Sequence, residues 1–490
     1  MIRIRSRHLA TVAALASPTT ASAHGFGALY NLPVPFWLYG WAASATLVVS
    51  FVIAGLFLSA APRPAALASR DISNTLWVRG LRRLLPALRL FAVFLLLLCI
   101  VTGYFGSRDP VRNFGPTFFW IIFLLLFTYM TVLLGNLYAA LNPWRTIASG
   151  IGRSWQGYTH GRLRYPAWLG DWPALALYMG FIWFELFGTG KPKPLALFLA
   201  GYTLLNLGGV WLVGSRIWFR HCEFFAVFLR LVALLAPFDY RRDQTGSAGK
   251  LYLRWPLAGL VAERPAHLST VAFALAMLAT TAFDGLKATR WWVSLFWGDP
   301  TGVLTAWAGV PPINAMGVVR PWFIAWESLW LFASPFLYLG AYLATIWLAK
   351  RLTGSQRPVR SLALDFAYAL LPIAIVYNVT HYATLILTHG LKIISLASDP
   401  FGWKWDLFGT ALHFRAPFLP DMGAVWHTQV GLILLGHIAS VWVAHLIALR
   451  VFPSRKAALL SQLPMLILMV GFTVAGLWIL AQPLTVMLMR

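Results

Sequence analysis

The sequence is poor in acid. Only 15 Asp and Glu stand against 39 Lys and Arg in 490 residues, and charged residues of both signs make up 11% of the chain. Soluble domains carry about a quarter charged residues, so a globular protein of this length with water as its main solvent is excluded. Cysteine is scarcer still: Cys99 lies inside an apolar run and Cys222 in a basic segment. Environments so different argue against a structural disulfide. The chain has no Walker motif, Gly-rich nucleotide loop, H-E-x-x-H pair or G-x-S-x-G elbow, which argues against nucleotide-driven transport and the commonest hydrolase signatures. A long basic face is also missing. Despite the formal charge of +24, Lys and Arg come in short groups between apolar runs, a topological pattern that offers nothing to nucleic acid.

What remains is hydrophobic, 59% of all residues. Runs long enough to span a bilayer lie near 36–60, 89–106, 116–140, 172–189 and 195–215, then near 268–284, 320–348, 361–389, 424–449 and 460–488. The fold class expected is all-α, a polytopic transmembrane bundle of about ten spans. It forms one membrane domain over 24–490, with the lipid bilayer as its first partner. The N-terminus reads as a secretory signal over 1–23: three arginines, a short apolar stretch, and Ala21-Ser22-Ala23 before His24.

Counted from a mature N-terminus outside the cytoplasm, the odd loops hold most of the 39 basic residues, as the positive-inside rule requires. This predicts a bacterial inner-membrane protein with both mature termini periplasmic and long periplasmic loops near 287–319 and 392–423. The apolar stretch 224–238 is too short to span and is expected along the cytoplasmic interface. At the inner end of the third span, Asn142-Pro143 is expected to end the helix, with Trp144 and Arg145 as interfacial anchors.

Ionisable groups inside spans are costly and mark candidate sites. They are Glu185, Asp284, Glu327 and Asp365, together with the histidines of the last spans: His381, His389, His427, His437 and His445. If the eighth and ninth spans are antiparallel neighbours, His381 would face His437 and His389 would face His427 in the periplasmic half. Imidazoles so placed suit a divalent metal ion, zinc or copper, or haem iron as the alternative, with Asp284 or Glu327 as ligand or catalytic base. Interhelical hydrogen bonding by these histidines is the competing structural account. His24 at a new N-terminus would be a second chelating position.

Several stretches together resemble a family of bacterial integral membrane proteins, the fenitrothion hydrolases. They are His24-Gly25-Phe26-Gly27 with Leu32-Pro33-Val34-Pro35, Gly135-Asn136 through Asn142-Pro143-Trp144-Arg145, and Ala282-Phe283-Asp284-Gly285-Leu286. Further along come Tyr377-Asn378-Val379-Thr380-His381-Tyr382, Ser398-Asp399-Pro400-Phe401-Gly402-Trp403, and Val425-Trp426-His427 through Gly436-His437 to Ala444-His445. The chain departs from the family pattern at Asn378, where a histidine is expected, and at His427, where an aromatic is expected. The resemblance implies hydrolysis of small apolar organophosphorus triesters, with a metal on His381 and His437 polarising the phosphoryl group and Asp284 or Glu327 as ligand or base. Trp291, Trp292, Trp297, Trp403 and Trp405 would hold the aryl leaving group. The alternatives are a haem- or copper-binding protein without turnover, and a secondary transporter.

Overall fold

The structure is a computed structural model that describes residues 35–57, 69–241, 249–414, 416–418 and 421–482. The signal-peptide expectation and His24 lie outside these residues. Among them, nine helices are long and apolar enough to cross a membrane. In chain order the apolar helices are α1 (Phe36–Phe57), α2 (Leu76–Phe105), α3 (Phe114–Leu134), the shorter α4 (Trp172–Phe187) and α5 (Pro192–Val213). After a short helix α6 (Phe224–Val232) come α7 (Leu268–Lys287), α8 (Met316–Thr353), α9 (Leu371–His389), α10 (Met422–Val451) and α11 (Arg455–Ala481). Nine of the ten expected spans are therefore present among the described residues as helices long enough to cross. The fourth, α4, has 16 residues, roughly 24 Å at 1.5 Å per residue, short of a hydrocarbon core of about 30 Å.

Helix α7 is the axis of the bundle, buried over almost its whole length and packed by α4, α8 and α9. Its small residues, Ala272, Ala274, Ala276, Ala279 and Gly285, let those neighbours approach closely. Helix α2 is the opposite case, an outer helix with most of its apolar surface exposed. At the Arg-rich end of the bundle a small antiparallel sheet has the order β1 (Arg70–Asp71), β3 (Lys250–Leu253), β2 (Phe238–Arg241).

Two sequence expectations are corrected here. Residues 224–238 do not lie along the interface: Phe224, Phe225, Val227, Leu229 and Leu231 are all buried. The chain turns at Glu223 deep among the spans, where the Phe225 ring is 5.1 Å from Phe123 of α3, and then runs back as α6 to the Arg-rich end, where Arg230 approaches Asp171 at 3.5 Å. Trp144 is likewise not an interfacial anchor. It is 2% exposed, donates Nε1–H to Thr203 Oγ1 at 2.9 Å, and stacks on Phe225.

The cause is local. Helix α3 ends at Gly135, whose φ of +80° is open to glycine and whose Cβ, if present, would run into the Phe238 carbonyl. Asn136 then caps a one-turn helix, and Asn142 caps the next helix, Pro143–Ser154. Broken backbone at this depth survives because protein, not lipid, surrounds it.

Candidate functional site

The last turn of α7 carries Asp284, 2% exposed. Its Oδ2 accepts from Tyr382 Oη–H at 2.8 Å and faces His381 Nε2 at 3.1 Å, both on α9. Lys287, one turn further, brings Nζ to 4.0 Å from Oδ1, donates to the Leu186 carbonyl at 3.2 Å, and lies over the Phe187 ring. A carboxylate, an ammonium and an imidazole thus share one buried site. Each alone would be expensive there, and together they offset one another. Gly285 makes room for it, since a Cβ there would press on Ile479 of α11 and sit 3.4 Å from His381 Cε1.

One turn deeper, a polar ladder continues between α3, α4, α7 and α9. Tyr129 Oη–H donates to Asn378 Oδ1 at 3.2 Å, Asn378 Nδ2 reaches Thr281 Oγ1 at 3.4 Å, and Tyr178 pairs with Thr280 at 3.1 Å. Asn378, Thr281, Thr280, Tyr178, Tyr382 and Glu185 line a cavity of about 40 Å³, closed on the far side by the rings of α6. That is room for water but not for a triester.

The site residues expected from sequence fall into separate places. Asp284 and His381 meet directly. Glu185 lines the adjoining cavity. Glu327 is buried on the inward stripe of α8 with Leu331 and Ser334, at a level where Trp183 of α4 donates to Ser328 at 2.8 Å. Asp365 pairs with Arg357 at 2.7 Å and Arg264 at 3.1 Å, an ion-pair junction at the Arg-rich end.

The histidines do not assemble as pairs. Helices α9 and α10 do pack together, but Gln429 bonds the Thr380 carbonyl and Gly436 lies against Val376. In this register the residue opposite His381 is near 429, so His437 sits some two turns away along the interface, about 12 Å. His437 is buried and its Nδ1 bonds the Ile433 carbonyl of its own helix at 2.8 Å. His445, also buried, bonds Gln462 of α11 at 3.1 Å. His427 is exposed, bonded to the Gly423 carbonyl, and His389 ends α9. Among the described residues no group of three His, Cys, Asp or Glu side chains is placed to hold a metal. Both cysteines are free and buried.

Sequence reasoning missed Tyr382 and Lys287. Lys287 was legible as the cation one turn after Asp284; Tyr382 carried no signal beyond adjacency to His381. It also missed Glu223, whose carboxylate accepts four hydrogen bonds: Tyr202 Oη–H at 2.6 Å, Asn142 Nδ2 at 3.3 Å, and the amides of Phe225 and Ala226 at 3.1 and 2.9 Å. The Ser398-Asp399-Pro400-Phe401-Gly402 loop is structural, since its Phe401 and Pro400 carbonyls accept from Ser107 and Phe114 and so hold the α2–α3 connection. Compared with known proteins, the chain matches no family model, no curated protein and no solved structure.

Proposed function

We propose that this chain is a membrane-embedded hydrolase of apolar organophosphorus triesters whose catalytic pair is Asp284 and His381. The observation that carries this reading is the 3.1 Å approach of His381 Nε2 to Asp284 Oδ2. It supports the reading because Ala282–Leu286 and Tyr377–Tyr382, two of the stretches on which the family resemblance rests, are separated by some ninety residues and come together at this contact.

An ionised Asp284 favours the imidazole tautomer with its proton on Nε2, leaving Nδ1 as the basic nitrogen. The His381 side chain is 15% exposed, which leaves part of the ring open to a water. General-base removal of that water's proton contributes about 10²–10⁴ in rate. Lys287 balances the carboxylate and keeps positive potential near the charge that develops on the phosphoryl group. The cavity beside the pair is too small for substrate, so a triester would meet His381 at the outer mouth, entering from the lipid. Among the described residues the donors for a metal do not converge, so the pair would act on water directly. Following the positive-inside rule, the Arg-rich end is oriented to the cytoplasm of a bacterial inner membrane, which leaves Asp284 in the periplasmic half and both mature termini outside.

The test is nitrophenol release from a nitrophenyl phosphorothioate triester by the purified full chain in detergent, with Asp284→Asn as control and with chelated and metal-replete arms. Release lost in the variant and indifferent to chelation supports the pair. No release in any arm refutes the hydrolase. A secondary transporter is the second reading, favoured by the interrupted segment after α3, with its caps at Asn136 and Asn142, and by the turn at Glu223, since interrupted helices line the binding sites of such proteins. It predicts Asp284-dependent proton flux in proteoliposomes without nitrophenol release.

A further inference from the structure

Tyr178, Thr280, Thr281, Asn378, Tyr382 and Glu185 line the small cavity one turn inward of Asp284, and the hydrogen bonds of that wall fix one another's direction. A hydroxyl has one proton to give and two lone pairs to offer. Thr280 Oγ1–H donates to the Ala276 carbonyl of its own helix at 2.8 Å, and Thr281 Oγ1–H to the Met277 carbonyl at 3.1 Å. With the threonine proton engaged there, Tyr178 must be the donor in its 3.1 Å contact with Thr280. Tyr382 Oη–H goes to Asp284. Asn378 stands between Tyr129, which donates to Oδ1 at 3.2 Å, and Thr281, which can only accept at 3.4 Å, so its amide nitrogen is the atom turned to Thr281.

Every hydroxyl proton of the wall is therefore engaged within the wall itself. The cavity is bordered by hydroxyl oxygens that can accept and cannot donate, with the second Asn378 N–H as the remaining side-chain donor and Glu185 as the acidic residue of the lining. Lys287 lies with Asp284 Oδ1 and the Leu186 carbonyl and is not among the lining residues. Water would give hydrogens to such oxygens but bring no charge to the carboxylate. A divalent metal asks for more charge than one carboxylate supplies, and among the described residues no group of three His, Cys, Asp or Glu side chains converges to hold one. A hard cation of single charge meets both conditions, since it takes neutral oxygens as ligands and balances one acid.

We propose that this cavity binds one sodium ion, held by Glu185 and by the hydroxyl oxygens of Thr280, Thr281 and Tyr178, directly or through water. The volume of about 40 Å³ admits an ion together with a water or two, and Phe224, Phe225 and Phe228 of α6 close the far side against anything larger. Bound there, the ion ties α4 to α7 and α9 and so braces the two helices that present Asp284 and His381. The inference stands apart from the hydrolase reading. A chain without hydrolytic activity would still bind sodium, and a chain without the sodium site would still carry the Asp284–His381 pair.

The experiment measures radiolabelled sodium bound to the purified full chain in detergent. In parallel, tryptophan fluorescence follows the thermal midpoint as sodium replaces choline at constant ionic strength and pH. Saturable binding of one sodium per chain is expected, with a midpoint that rises over the same concentration range. Glu185→Gln and Thr281→Val should each weaken binding by about tenfold or more, the order that follows when one member of a buried, charge-assisted contact is removed. Thr388→Val deletes a buried hydroxyl that likewise bonds its own helix but lies outside the cavity, and should change neither readout. Circular dichroism and monodisperse elution show whether each variant is folded, and the wild-type measurements stand without the variants. No saturable sodium binding, a midpoint indifferent to the exchange of choline for sodium, or binding unchanged in both Glu185→Gln and Thr281→Val would each overturn the proposal, the first two by leaving the cavity to water alone.

Discussion

Replacing Glu223 by alanine removes the acceptor for four donors at once. Two of them are the first amides of α6, and the others are Tyr202 Oη–H and the Asn142 amide. Glu223 and the Tyr202, Asn142 and Phe225 groups it holds are buried, and a buried donor left unsatisfied costs about 1–3 kcal/mol. Relaxation will let one or two find other partners, so the net penalty is set at about 4 kcal/mol, two to three such donors. The loss falls on the turn itself, which makes local opening the quantity to measure. Cys222, adjacent and 2% exposed, reports on it. In a Cys99→Ala background it is the sole thiol, and its labelling by a fluorogenic maleimide should require the turn to open. At 1.4 kcal/mol per decade, 4 kcal/mol raises the labelling rate by about 10²–10³ when opening and closing are fast relative to labelling. Glu223→Gln, which keeps one acceptor oxygen, should fall between. A rise of less than fivefold in Glu223→Ala would refute the view that this carboxylate holds the turn.

Other expectations follow from the same geometry. Gly135→Ala sets a Cβ against the Phe238 carbonyl at a left-handed position, and should lower stability by about 2 kcal/mol or more, seen as a drop in the thermal midpoint, whereas Gly150→Ala, with open space around it, should not. Burial pushes the Asp171 carboxyl up, but bonds from His221 and Thr270 and the charge of Arg230 outweigh it and hold the group below its usual range. Its contribution to stability is therefore full above the ordinary carboxylate pKa of about 3.9 and is lost as pH falls through the lower folded value. Asp171→Asn should flatten the acid limb of a thermal-stability profile and lower the plateau near neutral pH. Trp144→Ala removes a fully buried ring and its bond to Thr203, at a cost of about 3–5 kcal/mol, and should reduce yield of monodisperse protein more than Trp291→Ala, whose side chain is half-exposed.

The spans were legible because hydropathy needs only composition over some twenty residues, and nine of the ten appear as crossing-length helices where apolar runs predict them, the fourth as a shorter helix. The interruptions were not. The stretch 218–235 contains Arg220, His221, Glu223 and Arg230, which read as a cytoplasmic segment with its apolar part along the interface, and only the distant partners Tyr202, Asn142 and Asp171 make Glu223, His221 and Arg230 compatible with a place among the spans. Asp284 and His381 were each recognisable as costly intramembrane groups, but their pairing was not, since it depends on which face of α9 meets α7. The facing-histidine expectation took the register of α9 and α10 from the spacing of the histidines themselves. The actual connection contains its own helix, Lys392–Ser398, and the packing of Gly436 on Val376 sets the register instead.

The most direct test of the account separates the two histidines that the sequence treated as equals. Triester hydrolysis should be measured for His381→Asn and His437→Asn, each compared with wild type for folded yield and kcat/KM. The Asp284–His381 account predicts a loss of about 10²-fold or more in His381→Asn with activity near wild type in His437→Asn. Equal loss in both, restored by added zinc or copper in neither, would contradict it and return the shared histidine site to first place.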